Sequence, residues 1–180
     1  MLTIKRLADA AKIPFTMYYE HLIQINDPND LDIEPLTREQ LWLGLVARAE
    51  RPQYFLIGMD ECRIVERTED TLRREMRFGK TQVCDRVSFQ PHVQVSFDVE
   101  PSVEVCGARL IIRIEEPQPG ELFLRFAYTL QTIADDAVGE LDEYRKSAYR
   151  DADINTVRMI RQFAATGIFS PDGPGHFEIH

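Results

Sequence analysis

The chain of 180 residues is long enough to bury a hydrophobic core, and no Gly/Ser/Pro-rich stretch divides it. Its formal net charge is -9, with 30 acidic against 21 basic side chains and no Lys/Arg-rich run. This balance argues against binding nucleic acid or docking on anionic membranes, since both need a positive surface. No apolar run approaches the roughly 20 residues that span a bilayer, and the first residues lack a secretory signal pattern, so a cytoplasmic protein is expected.

The first alternating run predicts a β-strand over Met17 to Asn26. Tyr19, His21 and Ile23 share one face of this strand, because side chains alternate with a period of two. The turn residues Asp27-Pro28-Asn29-Asp30 end it. We treat residues 1–16 as a peripheral extension, 17–167 as the domain and 168–180 as a C-terminal tail.

Two short helices are predicted after this strand. Thr37 and Gln40 form a capping box, in which the threonine side chain accepts from the third amide and the glutamine reaches back. An apolar face follows, made of Leu41, Trp42, Leu45, Val46 and Ala49. Pro52 stops the helix and starts a second one, which runs through Leu56 and ends at Gly58.

The next two strands form a hairpin with a well-determined register. Gly79-Lys80 fits a two-residue turn with glycine at its first central position. Around that turn the apolar alternation predicts four facing pairs: Phe78 with Thr81, Met76 with Val83, Arg74 with Asp85, and Leu72 with Val87. A slip of one residue would turn every apolar side chain to the wrong face.

About six alternating runs are expected between Met59 and Ile133, and three of them follow the hairpin. The run from Val93 to Val99 is one. The next starts with apolar side chains at Val103 and Val105 and continues on even positions from Ala108, and this phase change at Gly107 predicts a β-bulge. The last runs from Leu122 to Leu130 and is expected to place Tyr128 opposite Ala108.

A long amphipathic helix is predicted from about Gly139 to Thr166, with Gly167 as its C-cap. Acidic residues early and Arg158 and Arg161 late suit the helix dipole. The residues expected near its buried stripe are Leu141, Tyr144, Ala148, Ala152, Met159, Ile160 and Phe163.

The order strand, two helices, six strands, long helix resembles the helix-grip fold of the SRPBCC superfamily, which includes START lipid-transfer domains and birch-pollen allergens. More narrowly, "YYEHLIQIND", "LTREQLWLGLVARAERPQYFLIGMDECRI" and "FGKTQVCDRVSFQPHVQVSF" resemble the AtaL-like family, named from a gene in a fungal aranotin-biosynthesis cluster. The resemblance covers Met17 to Gly167. It implies an α+β fold: a bent, seven-stranded antiparallel sheet wrapped around the C-terminal helix. It implies no reaction, because that family has no established catalytic motif to carry over.

Such a sheet and helix enclose a hollow, so an internal, largely apolar cavity is expected. The predicted ligand-binding residues are Tyr19, His21, Ile23, Leu72, Arg74, Met76, Asp85, Val87, Phe97, Leu110, Phe126 and Tyr128, with Met159, Ile160 and Phe163 as the lid.

Two interpretations are open for three polar residues on this inner face, Arg74, Asp85 and His21. Arg74 and Asp85 form either an ion pair that closes one end of the cavity or a polar anchor for a ligand carboxylate or carbonyl. His21 is either a hydrogen-bonded core residue or an acid–base group. The Tyr128 hydroxyl is expected to point into the hollow.

Motifs for other chemistry are missing from the sequence. No G-x-G-x-x-G, G-x-S-x-G or P-loop pattern is present, so no nucleotide cofactor or hydrolytic triad is predicted. Three cysteines form no C-x-x-C pair. In the tail, His176, Glu178 and His180 alternate like metal ligands, but a solvated end or an added strand is favoured, and no metal is predicted.

Three functional hypotheses follow. The favoured one is a protein that binds a small hydrophobic or aromatic molecule in the cavity. The second is an enzyme like a polyketide cyclase or aromatase, whose acid or base must lie within hydrogen-bond reach of a bound carbonyl. The third is an interaction module without a ligand, which a very small cavity would favour.

Overall fold

A computed structural model describes residues 14–133 and 140–168 of the chain. Seven strands and two α-helices follow one another in this part of the chain, with one 3-10 turn after the first helix. Their bounds are β1 (Pro14–Gln24), α1 (Arg38–Glu50), the 3-10 helix (Pro52–Tyr54), β2 (Glu61–Arg67), β3 (Thr71–Phe78), β4 (Thr81–Gln90), β5 (Gln94–Val99), β6 (Ala108–Glu115), β7 (Phe123–Ile133) and α2 (Glu140–Ala165). None of the described helices has the length and apolar character needed to cross a membrane.

The strands form one antiparallel sheet in the order β1-β7-β6-β5-β4-β3-β2. Each strand alternates its side chains, so one face of the sheet carries the apolar residues that α1 and α2 cover. This is the helix-grip fold that the sequence predicts. The second short helix is a single 3-10 turn, and β1 begins at Pro14, three residues before the predicted start.

Local signals placed several elements correctly. The Thr37 side chain accepts from the Gln40 backbone N–H at 3.0 Å, and the Gln40 side chain accepts from the Thr37 N–H at 2.9 Å, so the capping box is confirmed. Gly79 has φ of +60°, which a glycine adopts without strain at the β3–β4 turn. The four predicted pairs of this hairpin are all present, including Arg74 opposite Asp85. Gly167 ends α2, where Ile168 N–H donates to the Phe163 carbonyl.

Two predictions about β6 and β7 are wrong. No β-bulge occurs at Gly107, because the preceding segment is a loop: Val103 is fully exposed, and the register to β7 runs without a shift from Ala108. The only register shift between described strands lies in β2, between Ile64 and Glu66. Tyr128 faces Leu110 and not Ala108, since the hairpin is displaced by two residues. A displacement of two keeps each side chain on its predicted face.

The buried stripe of α2 also differs from the prediction. Tyr144, Ala148 and Ala152 are exposed, while Asp153 and Thr156 are almost fully buried. The helix is therefore rotated so that Asp153 meets Tyr128 and His21 of the sheet and Thr156 meets Arg48 of α1. The apolar pattern does not reveal this rotation. The side chain of Leu141 and the tail from residue 169 on, with its three alternating polar residues, lie outside the described part.

Candidate functional site

An open pocket of about 260 Å³ lies between the inner face of the sheet and the two α-helices. The half-buried side chains on its wall are mostly apolar and come from β3 to β7, with Tyr149 of α2 and Leu56 after the 3-10 turn. Its polar groups come from Arg48, Arg74, Asp85, Tyr128 and the exposed Arg109. Another depression of the surface, near β2 and the turn end of β3, is lined mainly by charged side chains.

Arg74 and Asp85 form a buried ion pair in the pocket wall. Both residues are 2% exposed, and the guanidinium binds the carboxylate through two nitrogens, with Nε donating to Oδ1 at 2.8 Å. Nη1 donates to the Ala49 carbonyl at 2.7 Å, which ties β3 to the end of α1. The charge of Arg74 is thus neutralised by a bidentate partner within the protein.

Tyr128, Asp153 and His21 form a second buried cluster beside the pocket. The Tyr128 hydroxyl donates to the fully buried carboxylate of Asp153, with 2.8 Å to each oxygen. His21 Nε2 lies 2.7 Å from Asp153 Oδ2, so we assign the proton to Nε2; Nδ1 is buried without a described partner. Burial, and then the charge of Asp153, raise the pKa of the Tyr128 phenol. Tyr128 is therefore a neutral hydroxyl, not a phenolate.

Arg48 brings a second guanidinium to the pocket. It lies in the last turn of α1 and is 7% exposed, and its Nε donates to Thr156 Oγ1 of α2 at 3.3 Å. Its guanidinium carbon lies 4.8 Å from the centre of the Phe97 ring, and that of Arg74 lies 5.3 Å from the same ring. Burial lowers the pKa of Arg48, while the negative charge of the nearby Asp153 acts in the opposite direction.

The predicted site residues are divided between this pocket and the solid core. Those at the pocket wall are Arg74, Met76, Asp85, Phe97, Leu110 and Tyr128. Those in the buried core are Leu72, Val87, Phe126, Ile160 and Phe163. Three further predicted residues are half-buried and pack against this core: Tyr19, Ile23 and Met159. His21 is buried beside Asp153. The pocket therefore takes up one end of the space between sheet and helices, and side chains fill the other end.

Sequence reasoning missed Arg48, Asp153 and Thr156. Arg48 lies in the segment "ARAE", in which charged residues alternate with alanine. Such charged helix residues are usually exposed to solvent. Asp153 and Thr156 are three residues apart and so share one face of α2, but polar residues three apart are common on exposed helices. Their burial depends on how α2 is rotated against the sheet.

The comparisons with known proteins agree with this architecture. A family model described as "AtaL: Acetylaranotin biosynthesis cluster protein L" matches residues 23–167. No curated protein matches the chain.

Solved structures match over most of the chain at low identity. The Zhui aromatase/cyclase from Streptomyces sp. R1128 is 12% identical with a TM-score of 0.57, and the match covers 89% of this chain and 100% of that one. Ara h 8.0201 is 10% identical with a TM-score of 0.57, over 82% and 99% of the two chains. The di-domain ARO/CYC StfQ from the steffimycin biosynthetic pathway is 13% identical with a TM-score of 0.62, over 83% of this chain and 51% of that one. At such identities the likeness shows the fold alone.

Proposed function

The chain belongs to the AtaL family, and from that membership and the pocket we propose that it binds a small aromatic or otherwise hydrophobic molecule between the sheet and α2. The observation that carries this proposal is the pocket itself: about 260 Å³ of open space with a mostly apolar wall, beside a core that is otherwise filled. Ligand sites in proteins commonly combine apolar walls with a few polar groups that fix orientation.

The volume of the pocket supports a small ligand. An apolar cavity of roughly 150 Å³ holds one benzene ring. A pocket of about 260 Å³ therefore matches a molecule of about two fused rings. Two of the structures of similar fold are named as aromatase/cyclases, and the family is named for a biosynthesis cluster. These names favour a biosynthetic intermediate with aromatic character. The interaction module without a ligand is less well supported, because it would need no such pocket.

The test uses native mass spectrometry and a fluorescent probe. Native mass spectrometry of freshly purified protein should reveal a bound small molecule. Prodan, a neutral two-ring ketone that emits at shorter wavelength in apolar surroundings, should bind to protein from which that molecule has been extracted.

A pair of neighbouring substitutions then locates the probe. Leu110→Trp places an indole in the pocket and should weaken prodan binding, whereas Ile111→Trp, on the outer face of the same strand, should not. Equal binding by both variants would place the probe elsewhere and reject the pocket as the site.

A cyclase- or aromatase-like enzyme is the second candidate, and the cluster of Tyr128, Asp153 and His21 is the observation that favours it. Tyr128 lines the pocket and connects it to a buried carboxylate and imidazole. If the protein promotes cyclisation of a linear poly-β-ketone, Tyr128→Phe and His21→Ala should remove that activity while prodan affinity stays nearly unchanged. The same products at the same rate with and without wild-type protein would reject the enzyme.

A further inference from the structure

Arg48 is a buried cation in the pocket wall without a carboxylate partner among the described residues. Its one described hydrogen bond runs from Nε to the neutral hydroxyl of Thr156. The terminal nitrogens Nη1 and Nη2 have no described partner, yet they are not sealed in the protein, since among the described residues only Nδ1 of His21 is both buried and unpartnered. The open space beside Arg48 is the pocket that it lines.

Arg74, in the same pocket wall, is an arginine whose guanidinium has hydrogen-bond partners within the protein. Arg74 flanks the same Phe97 ring as Arg48, but a bidentate carboxylate and a backbone carbonyl bind it. Asp153 is the carboxylate whose charge acts most strongly on Arg48. It already accepts hydrogen bonds from Tyr128 and His21, and it forms no ion pair with Arg48. A buried guanidinium whose terminal nitrogens lack acceptors costs free energy, and arginine does not escape this cost by losing its proton at neutral pH. An anion in the pocket would supply the missing partner.

We propose that Arg48 binds an anionic oxygen of the ligand, so that the molecule held in the pocket is a small aromatic acid. This inference rests on the proposed function. The rings lie against the apolar wall that Leu110 and Met76 provide, and the carboxylate meets the two terminal nitrogens of Arg48. The Phe97 ring and the Thr156 hydroxyl hold the guanidinium in place before the ligand arrives.

The experiment compares two probes of one shape. 2-Naphthoic acid and its neutral methyl ketone, 2-acetylnaphthalene, are titrated against prodan-loaded protein. Wild type should bind the acid at least about tenfold more tightly than the ketone, because a hydrogen bond to a charged group is stronger than a neutral one. Arg48→Met should lower the affinity for the acid by about ten- to a hundredfold and the affinity for the ketone by less than about threefold. Arg113→Met, which removes a positive charge from the exposed outer face of β6, should leave both affinities unchanged.

The possible outcomes separate the inference from the function on which it rests. If Arg48→Met leaves the preference for the acid intact, or weakens both probes equally, Arg48 does not bind the anion, while binding of the ketone still supports the pocket as a ligand site. If neither prodan nor the two probes bind wild type, the proposed function fails and the inference fails with it.

Two measurements guard against a variant that merely misfolds. The preference of wild type for the acid over the ketone needs no variant, and a preference for the ketone would overturn the inference. The thermal midpoint of ligand-free Arg48→Met should equal or exceed that of wild type, because the substitution removes terminal nitrogens that have no described acceptor. A lower midpoint together with unchanged acid binding would assign Arg48 a structural role and overturn the proposal.

Discussion

At the scale of single residues, two sets of side chains on the inner face contain buried charges that are hydrogen-bonded within the protein. Arg74 and Asp85 satisfy each other, and this agrees with the interpretation of the pair as an ion pair in the cavity wall. Asp153 accepts hydrogen bonds from the Tyr128 hydroxyl and from Nε2 of His21. Such partners lower the free-energy cost of burying a charge, so removing one member of a set should destabilise the protein more than removing the whole set.

Asp85→Ala is predicted to destabilise the protein by roughly 3–5 kcal/mol, because it leaves the buried guanidinium of Arg74 without its counter-charge. The measurement is the free energy of unfolding from urea denaturation. The double variant Arg74→Met/Asp85→Leu is the control, and it should recover most of the loss, since it removes both charges. Unfolding of the single variant close to that of wild type would show that the pair contributes little.

The raised pKa of Tyr128 predicts a loss of stability at alkaline pH. Up to about pH 10 the phenol keeps its proton in the folded and the unfolded chain, so this group contributes no pH dependence. Above that value the unfolded chain releases the proton while folded Tyr128 retains it. The free energy of unfolding then falls through this group, with a slope that approaches about 1.4 kcal/mol per pH unit as the unfolded phenol becomes fully ionised.

Tyr128→Phe should therefore lose stability less steeply than wild type between pH 10 and 11, as measured by urea denaturation at each pH. Tyr18→Phe, which removes a phenol that is 75% exposed, is the control and should follow the wild-type slope. Identical slopes for wild type and Tyr128→Phe would contradict the burial of this phenol.

At the scale of elements, the packing of α1 against α2 closes the core end of the fold. The two helices approach closely at Gly44, where a Cβ atom would lie 2.6 Å from both Cγ1 and Cγ2 of the fully buried Ile160. Arg48 lies one turn further along α1, and its bond to Thr156 joins the same two helices. The close approach at Gly44 thus positions the guanidinium at the pocket.

Gly44→Ala tests this contact. Alanine would favour the helix by roughly 0.5–1 kcal/mol, but overpacking against Ile160 typically costs about 1–3 kcal/mol, so a net loss of stability is predicted. Ile160→Ala alone should cost about 2–5 kcal/mol. The double variant should cost less than the sum of the two, because the smaller side chain makes room for the new methyl group. Additive free energies of unfolding would show that the two positions do not touch.

At the scale of the whole molecule, the fold divides the inner face of one sheet into a core and a pocket. The core end is filled from both sides, by Phe126 of β7 and by Leu45 and Ile160 of the helices. At the other end, towards the β3–β4 turn, the side chains are half-buried and leave about 260 Å³ open. With a net charge of -9, the molecule repels anions at long range, so an acidic ligand must be recognised by a local cation such as Arg48.

Local patterns determined a large part of this architecture from the sequence alone. The β3–β4 register followed from a period of two and a glycine at the turn, and the capping box at Thr37 followed from two residues three apart. Both signals act between close neighbours in the chain, where the backbone leaves few alternatives. The strand predicted before Gly107 is wrong because Val103 and Val105 alternate with polar residues in a loop, and alternation alone does not determine backbone hydrogen bonding.

The tertiary structure alone decided which inward-facing residues line the pocket and which form the core. That division depends on where the helices cross the sheet and how α2 is rotated, and the contacts involved join distant parts of the chain. Arg48 and Thr156 are 108 residues apart, and His21 and Asp153 are 132 apart. Sequence periodicity states only that a side chain faces inward. Whether it then meets another side chain or open space is determined by packing between elements, because that depends on shapes the local pattern does not contain.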